Sequence, residues 1–155
     1  MLTFRVTATG MREFADKISL IRGRMGDFVP VWEVVEKVFH KMEEIRFDSE
    51  GPGWAPLAAS TLAFKDMNNY PSDILIRTGD LQQSLLGYEG SISELTPDTL
   101  EVGTSIDYAQ YHQKGTSKMP RRPLISISQS ATQVFAEMVS AYLAEGTTAE
   151  PEVSV

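Results

Sequence analysis

Apolar side chains recur every three or four residues in three long stretches of this chain, and each stretch predicts an amphipathic helix. The first carries Met11, Phe14, Ala15, Ile18, Ile21 and Met25 and ends near Gly23 to Gly26. The second follows Asp27, a side chain suited to an N-cap, with Pro30 in the first turn, where a missing N–H costs nothing. Its apolar face is Val31, Val34, Val35, Val38, Phe39, Met42 and Ile45, which leaves Glu36, Lys37, Lys41, Glu43 and Glu44 for solvent. The third carries Ile127, Ala131, Val134, Phe135, Met138 and Tyr142, with Ser126 or Ser128 as its cap. Shorter helices are predicted from Ser60 to Met67 and from Asp80 to Ser84, the latter after a break at Thr78-Gly79. A period of two appears at Leu2, Phe4 and Val6, which predicts a half-buried strand. It returns loosely from Leu85 to Leu95 and at Leu100 and Val102, predicting a β-hairpin around the turn Thr96-Pro97-Asp98.

Between these elements, residues 49–61 hold two glycines and two prolines and read as a loop with Trp54 as its apolar anchor. The order of elements predicts an α+β fold, a small antiparallel sheet packed against amphipathic helices, in one domain over residues 1–145. Residues 146–155 are small, acidic and Pro-containing and are expected to be a disordered tail. A three-stranded sheet has open edges, which an oligomer can pair.

A formal charge of -7 disfavours nonspecific binding to nucleic-acid phosphates. The absence of cysteine removes disulfides, thiolate nucleophiles and Cys-based zinc sites, and two histidines make a poor metal set. No cofactor is expected: neither the Walker nor the Rossmann glycine spacing occurs. No apolar run reaches membrane length, and the first residues lack a secretory layout, which predicts a chain made and kept in a cytoplasm. His40, beside Phe39, reads as a half-buried packing residue. Glu43-Glu44 and Asp48-Glu50 read as a solvated helix end and loop rather than a catalytic carboxylate pair. His112 has no Gly-x-Ser-x-Gly elbow to serve, so catalysis is not expected.

The least ordinary stretch is YAQYHQKGTSKMPRRP, residues 108–123. Tyr108, Tyr111 and His112 are expected on one short helical turn, with Tyr108 and either Ala109 or His112 facing inward. Lys114, Lys118, Arg121 and Arg122 form a basic clamp, and Pro120 and Pro123 fix the backbone around the two arginines, which limits the entropy lost on docking. In an acidic chain the clamp suits an acidic protein surface, with DNA phosphates as the alternative.

Several motifs occur in one order: Arg46-Phe47, Gly53-Trp54-x-Pro56-Leu57, then Thr61 and Lys65, and Ile74-Leu75-x-x-Thr78-Gly79-x-Leu81-x-x-Ser84. They continue through Val102-Gly103-Thr104 and Tyr108-Ala109-x-x-His112-Gln113-x-Gly115-Thr116 to Pro120-x-Arg122-Pro123-Leu124. This order resembles the virion morphogenesis, or tail completion, family of tailed bacteriophages over residues 44–127. The resemblance implies a noncatalytic structural protein at the neck of the particle, working as a ring, commonly hexameric, on the tail tube. The implied partners are other copies of the chain, the tail tube and head-closure or connector proteins, with passing contact to DNA and no membrane. The virion is the implied location, after assembly in the host cytoplasm. An acidic chain suits a conduit, because a negative lumen does not trap passing DNA.

The motif residues divide by expected role. Trp54, Leu57, Leu75, Leu81 and Tyr108 are expected in the core, with His112 placed by the fold and Pro123 fixing a corner. Gly79, Gly103 and Gly115 are expected where the backbone needs positive φ or close approach. Interface candidates are Gly51, Pro52 and Gly53 in the first loop, and Gln113, Lys114, Thr116, Lys118, Arg121 and Arg122 in the second.

Overall fold

The computed structural model describes residues 10–151, and the strand predicted at Leu2, Phe4 and Val6 lies outside them. The longest helix, α2 (Val29–Asp48), is the spine. Against expectation Phe28, not Asp27, takes the N-cap position and makes no side-chain cap bond; Asp27 lies one residue further out, where its Oδ1 accepts from the Val29 N–H at 3.0 Å. Two faces of α2 are buried. Val31, Val35, Val38 and Met42 join Ala131, Met138 and Tyr142 of α6 (Gln129–Glu145) in one apolar cluster. Phe39 and Phe47 join Trp54, Ile74, Leu81, Leu85, Ala109 and Leu124 in another. Ser128 caps α6, accepting from Ala131 N at 3.1 Å, whereas Ile127 lies ahead of the helix and is exposed, against expectation.

The other elements surround this spine. α1 (Met11–Arg24) leans on α6, held by Arg24 Nη1 donating to the Leu143 carbonyl at 2.8 Å. α3 (Ala59–Met67) follows the first loop, and α4 (Asp80–Leu85) packs against α2. β1 (Ser91–Leu95) and β2 (Leu100–Thr104) form an antiparallel hairpin with Ser93 opposite Val102. The sheet has two strands among the described residues, and the fold is α+β. The hairpin turn is tied to the start of α2 by Phe28 N donating to Pro97 O at 2.9 Å. α5 (Ala109–Lys114) is the short turn predicted around Tyr108 to His112.

Three expectations need correction here. Glu43 is buried, not solvated, and is paired to Arg46 at 3.2 Å. Arg46 in turn donates to the Ser126 carbonyl at 2.8 Å, so the pair closes a gap between α2 and the segment entering α6. Tyr108 is half exposed, and Ala109 takes the inward position. Gly103 has neither positive φ nor a close neighbour, since a Cβ there would meet nothing within 4 Å.

Candidate functional site

The stretch 113–124 is a corner built by side chains that the sequence offers for docking. Gln113 spends its amide on the chain itself: Oε1 accepts from Leu124 N at 2.7 Å and Ile125 N at 3.0 Å, and Nε2 donates to Ile125 O at 2.7 Å. Arg122 is buried, with Nε donating to Ala55 O at 2.8 Å and Nη2 to Pro56 O at 3.0 Å. These bonds tie the second loop to the first, and Trp54 Nε1 adds a third tie by donating to Pro123 O at 2.9 Å. Gln113 and Arg122 therefore commit these polar groups to bonds within the chain. Gly115 is required: φ is +75° and a Cβ would sit 2.9 Å from Arg121 N. Gly51 is also structural, because a Cβ would fall 2.1 Å from the Trp54 ring. Of the predicted interface set, Pro52, Gly53, Lys114, Thr116, Lys118 and Arg121 remain exposed.

A second buried cation was missed as a structural device, although Lys65 belongs to the ordered motifs. From α3 its Nζ donates to Asp73 O and Ile76 O, both at 2.6 Å, and so organises the irregular segment leading to α4. Burial lowers its pKa, against the raising influence of Asp73 and Glu50. Glu50 also accepts from Ile74 N at 3.2 Å, and both Glu50 and Leu75 adopt positive φ. This geometry buries Ile74 and leaves the predicted core residues Leu57 and Leu75 only partly buried at the core margin.

These parts enclose a groove of about 690 Å³ between α3, the 75–81 segment, α5 and residues 118–122. Leu57, Leu75, Ile76, Leu81 and Met119 supply apolar lining, and Tyr108, Tyr111 and His112 form one side. Lys65, Arg77, Lys118 and Arg122 bring positive charge, against one lining carboxylate, Asp80, which accepts from the Thr78 hydroxyl at 2.7 Å. The His112 ring stands edge-on to Tyr108 with centroids 6.1 Å apart, and its buried Nδ1 has no hydrogen-bond partner among the described residues. Burial first, and Arg122 second, lower the His112 pKa, which favours the neutral ring at neutral pH. The groove thus offers apolar contact and positive potential. Among the described residues no group of three or more metal-ligating side chains converges, and no helix is long and apolar enough to cross a membrane.

A different surface feature lies at the other end of α2. Along α1, Phe14, Ile18, Ile21 and Met25 follow the alternating four- and three-residue spacing of a coiled-coil seam. Phe14 is 64% exposed, Ile18 49% and Met25 58%, so this amphipathic helix turns apolar side chains outward.

Searches among curated proteins and among solved structures return no match. The family model described as the phage virion morphogenesis family matches residues 9–144. That span takes in α1 to α6 apart from the last residue, and with it the ordered motifs, most of which converge on the groove and the Trp54 corner. By sequence family, then, this chain belongs to the phage virion morphogenesis proteins.

Proposed function

We propose that the chain is a noncatalytic structural subunit of a tailed phage that assembles as a ring at the head-proximal end of the tail, completing the tail and joining it to the head. Family membership supports a role in virion morphogenesis. The observation that carries assembly is the exposed apolar seam of α1, and its occupant in this reading is a second copy of the chain. Lys17, Arg22 and Arg24 occupy the positions flanking the seam, so two α1 helices packed on each other would oppose like charges. The contact is accordingly head-to-tail, α1 against a different face of the next copy, which is the interface type that closes into rings. An acidic chain supplies suitable faces, such as the cleft of about 420 Å³ where Glu44 and Asp48 flank Leu86 and Tyr88.

Light scattering on the full chain, with and without tail tubes, tests the reading. An oligomer of defined size is expected, and Ile18→Asp should weaken self-association by about 30-fold or more while leaving the far-ultraviolet spectrum unchanged. A strict monomer that never binds tails or connector proteins would overturn it. In particles, loss of the protein should leave unjoined heads and tails or tails of abnormal length. A DNA-contacting role is the alternative, favoured by the exposed cations Lys114, Lys118 and Arg121. It predicts DNA affinity that falls steeply with salt; the structural reading expects flat binding curves at low salt.

A further inference from the structure

We infer that the groove beside α5 seats the outer face of the β1–β2 hairpin of a neighbouring copy, a contact that deepens the ring reading above and rests on it. The groove supplies charge that its own chain leaves unmatched. Of its four cationic side chains, Lys65 and Arg122 are spent on carbonyls. Arg77 and Lys118 are exposed and belong to neither of the two ion pairs that form among the described residues, Lys41–Glu44 and Glu43–Arg46. Leu57, Leu75 and Met119 line the same groove with apolar surface.

The hairpin carries the complement. Residues 82–107 hold Glu89, Glu94, Asp98, Glu101 and Asp107 and no Lys or Arg. One face of the hairpin is turned inward: Leu100 and Val102 pack against the two apolar clusters, and the Ser93 hydroxyl donates to the Glu36 carboxylate of α2. Strand alternation then puts Ile92, Glu94 and Glu101 on the other face. Glu94 stands directly opposite Glu101 in the register, a cross-strand pair of like charges that destabilises the hairpin until a cation meets it. Both are exposed, and neither is in an ion pair among the described residues. Ile92 stands opposite Gly103, which offers it no cross-strand side chain, and it belongs to neither cluster. Two unmatched carboxylates beside an isoleucine fit two unmatched cations on a groove with apolar lining.

The hairpin does not serve its own groove. Its turn is held at the start of α2 by Phe28 N donating to Pro97 O at 2.9 Å, and its base is held to α4 by the Ser84 and Thr104 hydroxyls, 2.6 Å apart. Held in this way, Glu94 and Glu101 meet neither Arg77 nor Lys118 within ion-pair distance. A groove and its complement on different faces of one chain make a head-to-tail contact, which repeats from copy to copy around a ring.

Charge reversal on the full chain tests the contact, read by light scattering with circular dichroism as the check on folding. Arg77→Glu with Lys118→Glu, and separately Glu94→Lys with Glu101→Lys, should each weaken self-association by about tenfold or more. All four positions are exposed, so the helical signal should not change. An equimolar mixture of the two double variants should restore most of the assembly, because each offers the charge that the other's groove or hairpin now needs. One chain carrying all four changes should do the same. Oligomers of unaltered size in both double variants would overturn the contact and leave the ring reading standing. Loss of assembly that neither the mixture nor the fourfold variant restores would also overturn it. So would weaker binding to tail tubes by Arg77→Glu with Lys118→Glu at unchanged self-association, which would assign the groove to a different protein. Monomers from the unaltered chain would overturn both readings.

Discussion

Burial beside Arg46 raises the Glu43 carboxyl to about 7, because the desolvation of its charged form outweighs the attraction of the guanidinium. Between the ordinary value of 4.5 and about 7, the folded chain holds a proton that the unfolded chain has released. The contribution of this group to stability is therefore greatest at the acid end and falls as pH rises through 7, by about 3 kcal/mol at most. His112 acts in the opposite direction: its pKa is lowered from 6.5, so its contribution is complete above 6.5 and is lost as pH falls below it. His40, also lowered by burial, shares that sign. Urea unfolding at pH 5 to 8 separates the two effects. Glu43→Gln should remove the gain on acidification and leave stability falling below pH 6.5, while His112→Gln should steepen the gain. A second contrast at this scale concerns neighbours in sequence. Arg122→Ala strands two loop carbonyls and should cost about 2–4 kcal/mol in the same assay, whereas Arg121→Ala, at an exposed site, should stay within about 0.5.

Among the elements, the three long helices were legible because their apolar periods are regular, and the hairpin was legible at its turn, although its first strand starts at Ser91 rather than at Leu85, which instead ends α4. Ser128 and the Pro97 turn needed no tertiary information. What the sequence withheld was which polar side chains other elements would cover. Glu43, Lys65, Arg122 and Gln113 all look like surface residues along the chain: Lys65, Arg122 and Gln113 became internal when carbonyls or amides of other segments came to satisfy them, and Glu43 when its neighbour Arg46 was drawn to the Ser126 carbonyl. The reverse holds for α1, whose apolar period was readable but whose exposure depends on what packs nearby. Glycines divide in the same way. Gly115→Ala places a Cβ against Arg121 N at positive φ and should destabilise by about 2 kcal/mol or more, loosening the 113–122 corner. Gly103→Ala, in β2 with open space around the Cβ, should be neutral or stabilise by up to about 1 kcal/mol. Thermal melts of the two variants check both, and equal losses would mean that the corner tolerates the strain.

For the molecule as a whole, the two apolar clusters raise the question of whether they unfold as one unit. They share a single rigid element, since α2 contributes Val31, Val35, Val38 and Met42 to one cluster and Phe39 and Phe47 to the other. Fraying α2 at either end exposes buried side chains of the cluster there, and fraying at the C-terminal end also releases the Glu43–Arg46 pair. A shared helix of this kind couples the clusters, because neither keeps its packing once the helix that carries it is lost. The chain contains two tryptophans, one at each site: Trp32 packs against the α6 cluster, and Trp54 belongs to the groove-side cluster. Trp32→Phe leaves Trp54 as sole reporter, and Trp54→Phe leaves Trp32. In each variant the fluorescence transition in urea should coincide with the helical signal by circular dichroism. Trp54→Phe should also shift its midpoint downward, since it loses the bond to Pro123 O, worth about 1 kcal/mol. Separate fluorescence and helix midpoints within one variant would mean that the clusters are independent units and that α2 does not transmit stability between them. Coincidence would mean that strain imposed at the groove by a docking partner is borne by the same cooperative unit that presents α1.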